Sequence, residues 1–387
     1  MTEAVKQGRA TIASLQAVRF FAALLVVLDH VRIDGAELAA RLGIPFVFPA
    51  FSGRLGVEIF FLISGFIMVY ITAGERGWSI GPGRFLAERA IRIVPGYWAA
   101  TIAIVMLGAA AAQLNPAGEA MPWSAGRYLT SFLFIPHFDP DYGLRSPILY
   151  QGWTLNYEMF FYALFAIALC FSRRRGLVLL AATLAALAAC GMAIDRATGQ
   201  PPFLALHEGI LLPILRFWMH PIILLFLAGT GLAVAREQVA ARWGLPRFRH
   251  AAAASFALIA AFSGADMLLG LPAAARLAFA GAIVALCCLT AEPDEGGWAR
   301  AALVRGGDAS YSLYLFHAHV LLLCAAAWRR TLGSGASLYI FAVLAVIACI
   351  GAALAAHALF EKPVSRLLRR FTDAARRRDA VPFAARW

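Results

Sequence analysis

The sequence predicts an all-α integral membrane protein, a bundle of about ten transmembrane helices, and three observations carry that prediction. The 387 residues are 61% hydrophobic and only 14% charged, at a mean hydropathy of +0.73, a balance outside the range of soluble domains. Apolar runs near 20 residues recur along the whole chain, each long enough as a helix to cross roughly 30 Å of hydrocarbon. Basic residues collect in alternate connections between those runs, the distribution that sets topology. The net charge of +12 therefore reads as positive-inside bias, and no nucleic-acid partner is expected.

The predicted spans are 14–33, 54–73, 93–113, 148–172, 176–194, 211–235, 251–269, 274–292, 309–328 and 337–360. Residues 1–360 read as one transmembrane domain and 361–387 as a basic cytoplasmic tail. Lys6 and Arg9 ahead of the first run resemble the start of a signal peptide. That run is too long for an h-region and lacks a small-x-small cleavage site, so it reads as a retained span. With both termini inside, the cytoplasmic segments hold Arg76, Arg84, Arg89 and Arg92, then Arg173 to Arg175, then Arg236, Arg242, Arg247 and Arg249, then Arg300 and Arg305. The six cysteines fall within or at the ends of apolar runs, with no CxxC, and read as buried small hydrophobes. No metal site is read.

The first span, SLQAVRFFAALLVVLDHV, carries Arg19, Asp29 and His30. Eleven residues are close to three helical turns, so Arg19 and His30 share a face about 16 Å apart along the axis. Ionisable groups at membrane depth are costly and mark candidate sites; the bland reading is that Arg19 snorkels and His30 sits near the interface. The second span runs back, placing Glu58 within reach of Asp29 and His30, where a carboxylate would orient the imidazole. Glu58 could instead pair with Arg54 one turn away. The Ser64-Gly65 step permits close backbone approach.

The loop GRFLAERAIRIVPGYW puts Arg89 and Arg92 on one face at the inner mouth of the third span, with Pro95 bending its start and Tyr97 and Trp98 as a belt. Paired guanidiniums suit phosphate; alternatively they only anchor topology. The outer loop 114–147, with Trp123, Tyr128 and SFLFIPHF, reads as a re-entrant or interfacial piece. The fourth span places Trp153 and Glu158 in its outer half, and the sixth places Arg216 and His220 there at i, i+4. The ninth, SYSLYLFHAH, aligns Tyr311, Tyr314 and His317, with His319 just beyond. The tenth ends in Glu361-Lys362-Pro363 and a basic amphipathic tail suited to a membrane surface. A merely structural bundle rarely holds this many ionisable groups.

Taken together, the Arg-x10-His of Arg19 and His30, GVEIFFLISGF, the Arg-x-x-Arg of Arg89 and Arg92, WTLNYEMFFY, SYSLYLFHAH and Glu361-Lys362-Pro363 resemble acyltransferase family three, membrane O-acyltransferases of surface and exported glycans. The likeness covers the chain nearly end to end and is greatest to the exopolysaccharide-production, ExoZ-like branch, which lacks an appended extracytoplasmic domain. The family often has Asp at the position of Glu58. The resemblance implies a bacterial inner-membrane enzyme with acetyl-CoA as acyl donor, no metal, and a glycan or lipid-linked saccharide acceptor, in contact with membrane lipid. It implies His30 as catalytic imidazole, with Arg19, Asp29 and Glu58 supporting it. Arg89, Arg92, Tyr97 and Tyr311 would serve the donor, and Trp153, Glu158, Arg216, His220 and His317 the acceptor.

His30 would act as a base on the acceptor hydroxyl or as an acyl relay. A continuous channel, cationic inside and mixed in charge outside, is expected to run from the arginines to His30 and the acceptor residues. Two readings of other classes compete: a secondary transporter or flippase, and a receptor or scaffold without turnover. Release of free thiol from acetyl-CoA on addition of acceptor separates the enzyme from both.

Overall fold

Backbone amides in hydrocarbon must find partners within their own segment, so uninterrupted apolar runs become helices. The structure, a computed structural model, describes residues 11–75, 77–114, 123–139, 143–199, 211–291 and 297–379. Lys6, Arg9, Arg76 and the tail beyond residue 379 lie outside them. In chain order come α1 (Ala13–Leu42), α2 (Gly53–Thr72), a two-residue hairpin β1 (Ala73–Gly74) and β2 (Gly77–Trp78), α3 (Pro82–Leu114), α4 (Ala125–Phe132) and a second hairpin, β3 (His137–Asp139) with β4 (Gly143–Arg145). Then follow α5 (Trp153–Ala168), α6 (Arg173–Thr198), α7 (Leu211–Trp218), α8 (Leu224–Arg242), α9 (Ala251–Leu269) and α10 (Ala273–Cys288). The last are α11 (Trp298–Asp308), α12 (Ser310–Thr331), α13 (Leu338–Ala356) and α14 (Lys362–Asp379).

Helices form at all ten predicted positions, and eight are long and apolar enough to cross a membrane. The other two, α5 and α10, have 16 residues each, or about 24 Å. Two boundaries differ from expectation in a way that matters. The segment with Arg84, Arg89 and Arg92 is not a loop, because α3 begins at Pro82 and contains Pro95 in its interior. The missing amide of Pro95 frees the Ile91 carbonyl, and a turn on, Tyr311 donates its hydroxyl to Ile93 O at 2.7 Å. At the other end, α13 passes through a π-helical turn, His357–Glu361, into α14. Such turns are frequent at functional sites.

The described residues between α3 and α5 fold into α4 and the β3–β4 hairpin, with Phe134 packed on the buried Tyr97 ring at 4.6 Å. Of the cysteines, Cys170, in the turn after α5, and Cys190, on an outward face of α6, are exposed instead of buried.

The core is built on α1 and α2, and small residues set its crossings. A Cβ on Gly56 would overlap the Ala22 carbonyl, holding α2 against α1. Where α2 crosses α8 the arrangement is reciprocal: Gly65 meets the Phe226 carbonyl and Gly229 meets the Leu62 carbonyl. Backbone, unlike a side chain, cannot step aside. We expect Gly229→Leu to split this crossing at a cost of several kcal/mol, read as loss of monodisperse protein in detergent. Gly231→Leu, on the same helix with open space at its Cβ position, should accumulate normally.

Candidate active site

Three arginines from two helices meet in one cavity of about 310 Å³. Arg19 of α1 and Arg89 and Arg92 of α3 line it with Glu158 of α5, giving three cations to one carboxylate among the lining residues. The 3-residue spacing of Arg89 and Arg92 puts both on the α3 face turned inward. Each partner is bound differently. Arg19 donates to Gln16 Oε1 at 2.7 Å, and Gln16 donates to Asp308 Oδ1 at 3.0 Å. Arg89 reaches the Tyr162 hydroxyl, which donates to Glu158, as does Ser64 Oγ at 3.1 Å. Arg92 has no hydrogen bond or ion pair among the described residues, although it lies within electrostatic reach of Arg19 and Arg89. A guanidinium with its fork unused in a cationic cavity is suited to an anionic ligand. Glu361 accepts from Ser312 Oγ at 2.7 Å and His357 Nδ1 at 2.9 Å, so the π turn holds its charge near Arg19.

The cavity ends at aromatic rings. Phe60 and Tyr314 both line it and meet edge-on at 6.0 Å. Tyr314 shares its hydroxyl with Gln151 O at 3.0 Å and Thr154 Oγ1 at 2.8 Å. One turn further along α12 is His317, its ring 6.2 Å from that of Tyr314 and 4.9 Å from that of His30.

The two imidazoles are held alike. His30 Nδ1 lies 2.8 Å from Val26 O and His317 Nδ1 lies 3.1 Å from Leu313 O, each one turn back on its own helix. A carbonyl only accepts, so both Nδ1 atoms carry hydrogen, and each ring in its neutral form presents a lone pair at Nε2. His30 is half-buried; His317 is 1% exposed and its Nε2 has no partner. His319 spends Nε2 on Ala100 O at 2.8 Å and leaves its Nδ1 without a partner.

Several sequence expectations need correction. Among the described residues the lining of the arginine cavity includes Phe60 and Tyr314 but not His30, so that cavity alone is not the continuous channel expected. Neither expected carboxylate orients His30. Glu58 turns towards α10 and pairs with Arg276 at 2.8 Å, not with Arg54 either. Asp29 pairs with Arg32 at 2.8 Å and packs on Gly53, at the positive N-terminal end of α2. Asp34, one turn along α1, lies within electrostatic reach of His30.

Tyr97 lies behind the site against Phe134 and Gly152, whereas Tyr311 does line the cavity. Glu158 belongs with the arginines, away from the other residues expected to bind acceptor. Arg216 is buried in an ion pair with Asp195, and His220 caps the turn at Ile222 with its Nδ1 accepting at 3.1 Å. Arg54 and Asp195 both act on His220, so these groups form a separate cluster. Trp153 packs edge-on against Phe61 and Tyr157.

Sequence reasoning passed over Tyr162, Gln16 and Asp34. Local spacing contained them: Tyr162 follows Glu158 by four, Gln16 precedes Arg19 by three, and Asp34 follows His30 by four, all same-face helical intervals.

A membrane bundle whose buried face gathers three arginines, with two imidazoles of fixed tautomer beyond them, defines a class of intramembrane group-transfer enzymes. A family model described as an acyltransferase domain matches residues 12–357, and the chain belongs to that family, acyltransferase family three. It is 34% identical to the exopolysaccharide production protein ExoZ of Rhizobium meliloti over 318 residues, 81% of this chain and 90% of that one. It is 25% identical to the acyltransferase MdmB of Streptomyces mycarofaciens across 93% of each. Identity is also 25% to the peptidoglycan O-acetyltransferase OatA of Listeria monocytogenes, over 42% of this chain and 25% of that one. No solved structure matches the chain. The protein is an O-acyltransferase embedded in a membrane by multiple helices.

Proposed function

We propose that this enzyme takes an acetyl or other short acyl group from cytoplasmic acyl-CoA and esterifies a hydroxyl of a lipid-linked or exported glycan at the outer side of a bacterial inner membrane. One observation carries the reading: His30, on the same helix as Arg19 of the cationic cavity, has Nδ1 pinned to Val26 O and Nε2 left free. That lone pair can take the proton of an attacking hydroxyl or carry the acyl group. The donor would place its phosphates at Arg89 and Arg92 and extend its pantetheine arm inward. A cavity of about 310 Å³ suits such an arm and not the whole of CoA. The positive-inside distribution of arginines supports a cytoplasmic donor, with both termini on that side. For the acceptor, the support is the printed roles of relatives, exopolysaccharide production for one and peptidoglycan O-acetylation for another.

Inverted vesicles loaded with acceptor glycan test the reading. Acetyl-CoA added outside should release thiol in step with ester-linked acetyl appearing on glycan in the lumen. Thiol release that needs acceptor on the same side as acetyl-CoA would refute the sidedness. Glycan movement with no thiol released would mark a flippase.

A further inference from the structure

His317 is 1% exposed, its Nδ1 is committed to Leu313 O at 3.1 Å, and its Nε2 is buried with nothing to bond. An orphaned polar atom of this kind costs roughly 1–3 kcal/mol. Its neighbour His319 likewise has one nitrogen on a carbonyl, Ala100 O, and leaves the other, Nδ1, buried without a partner; what sets His317 apart is its place beside His30 and Tyr314.

Position suggests what the free lone pair is for. Along α12, Ser310, Tyr311 and Tyr314 line the arginine cavity, and His317 comes one turn later. Along α1 the His30 ring stands on the far side of His317, 4.9 Å away and outside the cavity wall. The sequence of groups leading away from the arginines is therefore Tyr314, His317, His30. A thioester held with its phosphates at Arg89 and Arg92 meets His317 before His30.

We propose that His317 is a catalytic residue, the first acyl acceptor, and that it hands the acyl group to His30; this rests on the reading of His30 given above. When the Phe60–Tyr314 contact opens, His317 Nε2 attacks the thioester carbonyl carbon. The new C–N bond forms, the C–S bond breaks and CoA leaves as thiolate. The acyl-imidazolium keeps its Nδ1 proton on Leu313 O, and its charge offsets the departing thiolate. His30 Nε2 then attacks the same carbon, the bond to His317 breaks, and His317 returns to neutral. The acceptor oxygen displaces His30 and gives up its proton to solvent on the acceptor side, while the thiolate takes a proton from solvent on the donor side, so thioester plus alcohol gives ester plus thiol. With two carriers, neither the donor nor the acceptor has to cross the distance between cavity and outer face.

A first carrier on the donor side makes exchange of CoA independent of acceptor. The full-length protein in detergent, given acetyl-CoA and labelled CoA with no glycan, should form labelled acetyl-CoA. His30→Ala should exchange within about threefold of wild type. His317→Ala and the volume-conserving His317→Gln, melting within a few degrees of wild type, should lose at least about 100-fold. The His30→Ala result decides the order of carriers even if no His317 variant folds. Exchange that survives in a folded His317 variant, that disappears in His30→Ala or that is absent from wild type would overturn the proposal. Failure of the parent reading looks different: glycan acetylation would persist in His30→Ala.

Discussion

His30→Ala is expected to lower acyl transfer to glycan by at least roughly 10³-fold, the scale of losing a positioned acid–base or nucleophilic group, while the protein accumulates at its normal level. Both halves of the expectation follow from the geometry. The ring is the half-exposed member of the imidazole pair, His317 being 1% exposed. The carbonyl it vacates, Val26 O, already accepts the His30 amide in the helical i→i−4 pattern, so no buried polar atom is orphaned. Ester-linked acetyl on surface glycan measures the first half, and the amount of monodisperse protein measures the second. Acetylation at wild-type level would remove His30 from the chemistry. A variant lost from the membrane would mean the ring is needed for packing.

How much of this was legible in the sequence depends on whether a residue's partner lies on its own helix. Arg19 and His30 lie on one unbroken α1, with Arg19 in the arginine cavity, because 3.6-residue periodicity fixes that relation without tertiary information. The same holds for Arg89 with Arg92, and for Tyr311, Tyr314 and His317. Relations between helices were not legible. Glu58 could face α1 or α10, and only the packed bundle, with α2 held to α1 at Gly56 and to α8 at Gly65, turns it to Arg276.

Depth estimates failed for a related reason. Glu158 counts as an outer residue by its distance from the start of span 148–172, but α5 has only 16 residues, and it is packing against α1 and α3 that puts Glu158 in one cavity with Arg19, Arg89 and Arg92. Arg216 and His220 look like site residues in sequence because they are ionisable and apolar-flanked. Their partners, Asp195 on α6 and the cap at Ile222, give them structural duties that spacing could not reveal.

The arginine pair should act on donor binding, and Arg92 more than Arg89. Arg92 brings a guanidinium with no hydrogen bond among the described residues to the cavity, whereas Arg89, its Nε unpartnered, lies beside the Tyr162 hydroxyl. Charge-assisted hydrogen bonds to a phosphate contribute roughly 2–3 kcal/mol. Arg92→Ala should therefore raise the KM for acetyl-CoA by about 30–100-fold, with a smaller fall in kcat. Arg92→Lys keeps the charge and loses the bidentate fork, so a rise nearer tenfold is expected. Arg89→Lys should cost both, since it also releases Tyr162 and the Glu158 carboxylate it neutralises. A thioester of pantetheine, which lacks the nucleotide phosphates, is the discriminating donor. Wild type and Arg92→Ala should use it equally poorly, because the group that Arg92 grips is gone. If KM for acetyl-CoA is unchanged in the Arg92 and Arg89 variants, the arginines only anchor the inner end of α3, and the donor site lies elsewhere.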